Sequence, residues 1–144
     1  MKLIGRMFKN FSDNIEVKNK LKSQGRAKFF DSVNHALDGI NYTVSHERNF
    51  KVELVMMVLV LVAGIYFKIS NIEWVVLLLT IASVLTLELI NTGIERCVDL
   101  VTKEYHELAK NAKDIAAGAV LVMSMFAVCI GIVIFLPKIL VMFR

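Results

Sequence analysis

Residues 72–99 read IEWVVLLLTIASVLTLELINTGIERCVD, and their pattern decides the architecture. From Trp74 to Leu87 the run carries no charge, so it is apolar enough and long enough to enter a bilayer. The run then continues into Glu88, Asn91, Glu95 and Asp99, at steps of three, four and four. On a helix those four side chains share one face over about three turns. An ionised carboxylate as deep as Glu88 costs several kcal/mol on insertion scales, roughly 2.5–3.5 at the bilayer centre, so it needs a reason to be there.

Working outward, two further apolar blocks flank this one. Residues 52–67, VELVMMVLVLVAGIYF, form a first span that extends over about 50–67 by borrowing from the preceding stretch. Lys68-Ile69-Ser70-Asn71 reads as a tight turn into the second span, 72–95, which opens on Glu73 and Trp74 at the interface. The helix is expected to continue through Asp99. A polar segment from Leu100 to Asp114 precedes a third span, 115–136, closed by Pro137 and Lys138. Ahead of the spans, residues 29–49 place Phe29, Val33, Ala36, Leu37, Ile40 and Val44 at helical spacing and are too polar to cross, which predicts a surface helix. Residues 1–28 are basic. Met1, Ile4, Phe8, Phe11 and Ile15 fit an interfacial amphipathic helix, and a basic tail fits equally.

The expected fold is therefore all-α and integral to a membrane, with three transmembrane helices preceded by one or two interfacial amphipathic helices. A basic segment at 1–28 precedes a membrane domain at 29–144. Of the 144 residues, 56% are hydrophobic, above the globular norm of about 45–50%. The net charge of +4 belongs to the flanks of the spans and does not suggest nucleic acid. Lys and Arg are concentrated before the first span and recur as Arg96, Lys103, Lys110 and Lys113 between the second and third; Lys68 stands alone in the other connection. The positive-inside rule then puts the N-terminus in the cytoplasm and the C-terminus outside a multi-pass protein of the cell membrane. No signal peptide is evident, so the spans are expected to insert uncleaved. Cys97 and Cys129 have no metal spacing and read as packing residues. Three spans are few to enclose a site, which favours an oligomer.

Carboxylates in a row with an amide suit a hard cation such as Mg²⁺, a general base, or a polar seam between helices. Four graded from membrane to water favour function. Lys110, Lys113 and Asp114, at the start of the third span, fit either a phosphate contact or a positive-inside flank with a capping aspartate. Glu47 and Glu53, near the entrance of the first span, could complete a metal site or be a solvated helix end. His35, His46 and His106 have no ligand spacing, and no GxxxxGK[ST] or kinase-type glycine loop is present.

Glu88-Leu-Ile-Asn91-Thr92-Gly-Ile-Glu95-Arg-Cys-Val-Asp99 resembles the signature of the small prokaryotic diacylglycerol kinase family. Glu47-Arg48-Asn49-Phe50, Glu73-Trp74 and the run from Ala109 to Val120 stand around it in the expected order. The resemblance covers about Phe29 to Lys138 and looks most like the Gram-positive, undecaprenol kinase branch. Gly93 departs from the family's usual Ala or Ser. The resemblance implies a homotrimer that moves phosphate from ATP, with Mg²⁺, to a membrane lipid alcohol, either undecaprenol or diacylglycerol. It implies Glu88 as catalytic base and Asn91 as the catalytic residue that positions either Glu88 or the acceptor hydroxyl. Glu95 and Glu47 would hold the metal against the phosphates, Lys113 would touch them, and Asp99 and Asp114 would orient Lys113 or bind the nucleotide; Glu53 is a weaker candidate. The readings of another class are a non-catalytic oligomer with a polar helix seam and a proton-coupled transporter, though the latter usually needs more spans.

Overall fold

The computed structural model describes residues 28–143, which are helical except at short connections. The expected helix within residues 1–28 lies outside them. The chain divides into two compact units, Met1–Tyr42 and Thr43–Arg144. In the first unit, residues 28–42 are helical, with Phe29, Phe30, Leu37 and Ile40 exposed. This helix, α1, runs over 28–46.

The second unit holds the three long helices α2 (Arg48–Tyr66), α3 (Asn71–Val101) and α4 (Glu107–Met142). Each is long and apolar enough to cross a membrane. At roughly 1.5 Å per residue, the 19 residues of α2 reach about 28 Å, close to the hydrocarbon thickness. With 31 and 36 residues, α3 and α4 exceed it, the excess being the polar C-terminal turns of α3 and N-terminal turns of α4. Only 11% of the apolar window of α2 and 6% of that of α4 is buried in the chain, against 28% for α3. So α3 is the central helix, packed against both others.

The connections are fixed by specific bonds. Glu47 breaks the helix between α1 and α2 with an extended backbone (φ −97°, ψ 121°), and its N–H still closes α1 on Thr43 O at 2.8 Å. After α2, Lys68 takes the left-handed region at φ 49°, and Ile69 N–H returns to Gly64 O at 3.2 Å. Ser70 then caps α3. Its Oγ accepts from Glu73 N–H at 3.3 Å, and Glu73 Oε2 accepts from Ser70 N–H at 2.6 Å, a reciprocal capping box. Lys138 donates to the other oxygen of Glu73 at 2.8 Å, tying the start of α3 to the end of α4.

Beside that ion pair lies the apolar core. Ile69, Leu77 and Ile134 are buried, with Trp74, Phe67 and Phe135 packed around them. Trp74 lies so close over Gly64 that a Cβ there would stand 2.8 Å from its Cη2.

Three sequence expectations change. α4 starts at Glu107, where His106 Nδ1 accepts from Leu108 N–H at 3.2 Å, so the second half of the polar segment is helical and continuous with the third span, which the sequence pattern starts at 115. Leu108, Ala109 and Ala112 are good helix formers, and polarity bars insertion, not helicity. Pro137 does not close the helix, which continues to Met142. A proline forfeits one bond and usually kinks a helix, yet spanning helices tolerate it where neighbours compensate. Cys97 and Cys129 are exposed on the chain rather than packed within it.

Candidate active site

A single stripe of α3 organises the unit. Leu77, Thr80, Val84, Glu88, Asn91, Glu95 and Asp99 follow one another at steps of three and four, so they share one face. Its first half packs the apolar core. Its second half is the acidic row, and there burial passes from Leu77 to Glu88, Asn91 and Thr92.

Glu88 is 2% exposed, buried as deeply as any core residue. The side chain of Asn49, in the first turn of α2, donates to its carboxylate. Glu47 and Glu95 lie within electrostatic reach of Glu88, and so does Glu53. Asn91, 7% exposed, donates from Nδ2 to Glu95 Oε1 at 3.3 Å, while its Oδ1 is buried and unpartnered. Glu53 Oε2 is likewise buried with no partner. A buried polar atom left unmade costs about 1–3 kcal/mol, so these oxygens are acceptors awaiting a donor or a cation.

Two ion pairs tie the rim together. Arg96 on α3 donates to Glu47 Oε1 at 2.7 Å, and Lys113 on α4 pairs with Asp99 on α3. Arg96 is also within electrostatic reach of Asp99. The rim thus reads Lys113, Asp99, Arg96, Glu47, with the sign of charge alternating from α4 to the start of α2. Asp114 faces Lys110 at 3.8 Å instead of joining this row.

Between α2, α3 and α4 a cleft of about 690 Å³ opens, lined by Met56, Leu77, Val84, Ile132 and Phe135. Its lining is almost wholly apolar, and Glu53 is its charged member. A long hydrocarbon chain matches such a lining, with a polar group near Glu53 and Glu88.

Among the described residues no three His, Cys, Asp or Glu side chains close on one point as a formed metal site. The donor set nevertheless fits a hard divalent cation: clustered carboxylate oxygens with mutual repulsion to relieve, and the idle amide oxygen of Asn91.

The structure therefore gathers Glu47, Glu53, Glu88, Asn91 and Glu95, sets Asp99 and Lys113 beside them as a pair, and leaves Asp114 apart. Asn49 and Arg96 carry contacts to this group that sequence reasoning did not assign. Both stand within the quoted motifs, but their partners lie far away along the chain.

Residues 34–135 match the family model for prokaryotic diacylglycerol kinase, well over half of the chain. The chain belongs to the prokaryotic diacylglycerol kinase family. It is 47% identical over 111 residues to the undecaprenol kinase of Bacillus subtilis (strain 168), covering 77% of this chain and 90% of that relative. To a diacylglycerol kinase of a Synechocystis strain it is 43% identical over 110 residues, 76% of this chain and 63% of that one. To the diacylglycerol kinase of Escherichia coli (strain K12) it is 30% identical over 104 residues, 72% and 85%. This is a lipid kinase family.

Proposed function

We propose that the chain transfers the γ-phosphate of ATP, with Mg²⁺, to the hydroxyl of undecaprenol. The observation that carries this reading is Glu88, buried, accepting from Asn49 and set near the apolar cleft. A lipid hydroxyl loses its proton only to a base placed at that depth, and Glu88 is the buried carboxylate there. Asn49 and Asn91 fix the carboxylates around it. Lys113 meets the phosphates and Asp99 orients it; Asp114 serves the nucleotide from the next position. Glu47 and Glu95, with the Asn91 amide oxygen, would hold the metal. When bound, Mg²⁺ supplies charge neutralisation for the phosphate oxygens.

The acidic row, Arg96 and Lys113 belong to one end of the helices, and the positive-inside rule makes that end cytoplasmic in the cell membrane. The sparsely buried faces of α2 and α4 fit lipid and further copies of the chain, which is why we favour a homotrimer.

The choice of undecaprenol rests on the similarity to the Bacillus subtilis enzyme. The second reading is diacylglycerol, favoured by the names of the other relatives. Phosphate transfer from labelled ATP in mixed micelles, with the two lipids offered side by side, separates them. Faster labelling of undecaprenol supports the proposal, faster labelling of diacylglycerol replaces the acceptor, and labelling of neither by folded protein removes the kinase reading.

A further inference from the structure

Glu47 stands at a non-helical residue, and its side chain makes no capping bond to α2. Its carboxylate is instead held by Arg96, through a single oxygen. The two partners are unequally placed: the Glu47 side chain is 21% exposed and that of Arg96 48%. The guanidinium thus stands nearer to water than the carboxylate it holds. Another acid is at hand, because Asp99 lies one turn further on α3, within electrostatic reach of Arg96. Asp99 in turn already holds Lys113.

We propose that Arg96 is an internal counter-ion that holds Glu47 while the metal is absent and competes with the divalent cation for that carboxylate. Entry of the cation sends Arg96 to Asp99, which loosens Lys113 toward phosphate. This inference rests on the reading of Glu47 as a metal ligand. Its physical basis is elementary. Glu47 and Glu95 both repel Glu88, and a fixed positive charge on Glu47 relieves that repulsion when no cation does. Once a dication sits on Glu47, the guanidinium is surplus and repelled.

The test is direct binding of Mn²⁺, followed by electron paramagnetic resonance, to the nucleotide-free full chain in detergent micelles. Arg96→Gln is expected to tighten Mn²⁺ binding by about twofold to fivefold, the upper part of the range that a partly exposed ion pair commands. Arg96→Lys, which keeps the charge, is expected to stay within about twofold of the natural chain. In an Arg96→Gln, Glu47→Gln double variant the tightening should vanish, because the contested carboxylate is gone. Unchanged or weaker binding by Arg96→Gln overturns the competition, while the metal reading of Glu47 survives provided that Glu47→Gln alone weakens Mn²⁺ binding. If Glu47→Gln alone leaves binding intact, the metal reading itself fails, and the inference with it.

Discussion

The side chain of Asn49, in the first turn of α2, donates its hydrogen bond to the buried carboxylate of Glu88 on α3. This bond crosses from one spanning helix to another and fixes the direction in which Glu88 points. Hydrogen bonds to charged groups are worth about 1.5–3 kcal/mol, and an abandoned buried acceptor costs about as much. Asn49→Ala is therefore expected to lower kcat by about tenfold to a hundredfold with little change in KM for ATP. Steady-state phosphate transfer at saturating lipid checks it. A change confined to KM for ATP would place Asn49 with the nucleotide instead.

Glu88 itself allows a sharper test. Glu88→Gln keeps the shape and the contact with Asn49 but cannot take a proton. General base catalysis contributes typically 10²–10⁴-fold, and a loss of kcat of that size is expected while circular dichroism and elution volume stay as in the natural chain. Removing a buried charge also relieves repulsion with Glu47, Glu53 and Glu95, so the variant should unfold at no lower temperature than its parent. Undiminished turnover would return the acidic row to a polar seam.

The pair Lys113–Asp99 predicts a split between two variants. If Lys113 meets the phosphates as proposed, Lys113→Met should raise KM for ATP by about tenfold or more, as losing a charge-assisted bond does. Asp99→Asn leaves the lysine in place but unheld, and a smaller rise is expected. ATP titrations at fixed lipid give both numbers, and equal effects would mean that Asp99 contacts the nucleotide itself.

Stability is governed at the other end of the unit. Gly64→Ala puts a Cβ at 2.8 Å from Trp74 Cη2, closer than atoms pack, so the indole must shift out of the core beside Ile69. Overpacking of this kind costs about 1–3 kcal/mol. By contrast, a Cβ at Gly93 meets nothing within 4 Å in the chain, so Gly93→Ala is expected to be neutral or slightly stabilising in the monomer fold. Thermal unfolding in detergent, run on both variants, should rank them in that order.

What the sequence revealed and what it hid follow from the reach of each interaction. Glu88, Asn91, Glu95 and Asp99 declare themselves because helical periodicity is local, and steps of three and four need no knowledge of the rest of the fold. The spans show for the same reason, since an apolar run is its own signal. The ends of α4 were hidden, because hydropathy marks where a helix meets lipid rather than where it begins: Glu107 and Met142 are helical on either side of the apolar stretch. Arg96 and Glu47, 49 positions apart, and Glu73 and Lys138, 65 positions apart, become partners only once the helices pack. No spacing rule reaches that far. The sequence left open whether Asp99 and Asp114 orient Lys113 or bind the nucleotide; the ion pair of Lys113 with Asp99 needs α3 and α4 side by side and has no local signal.

The stripe of α3 that begins at Leu77 and ends at Asp99 works like a camshaft, with its bearing and its lobes cut on one rod. The helix between them sets their angular phase. One residue added or removed within 82–87 would turn the acidic row by about 100° relative to the packed half, without altering a single residue of either. The number of residues in that plain apolar stretch is thus as much a part of the site as Glu88, and lengthening it by one should silence the protein more thoroughly than many substitutions within it.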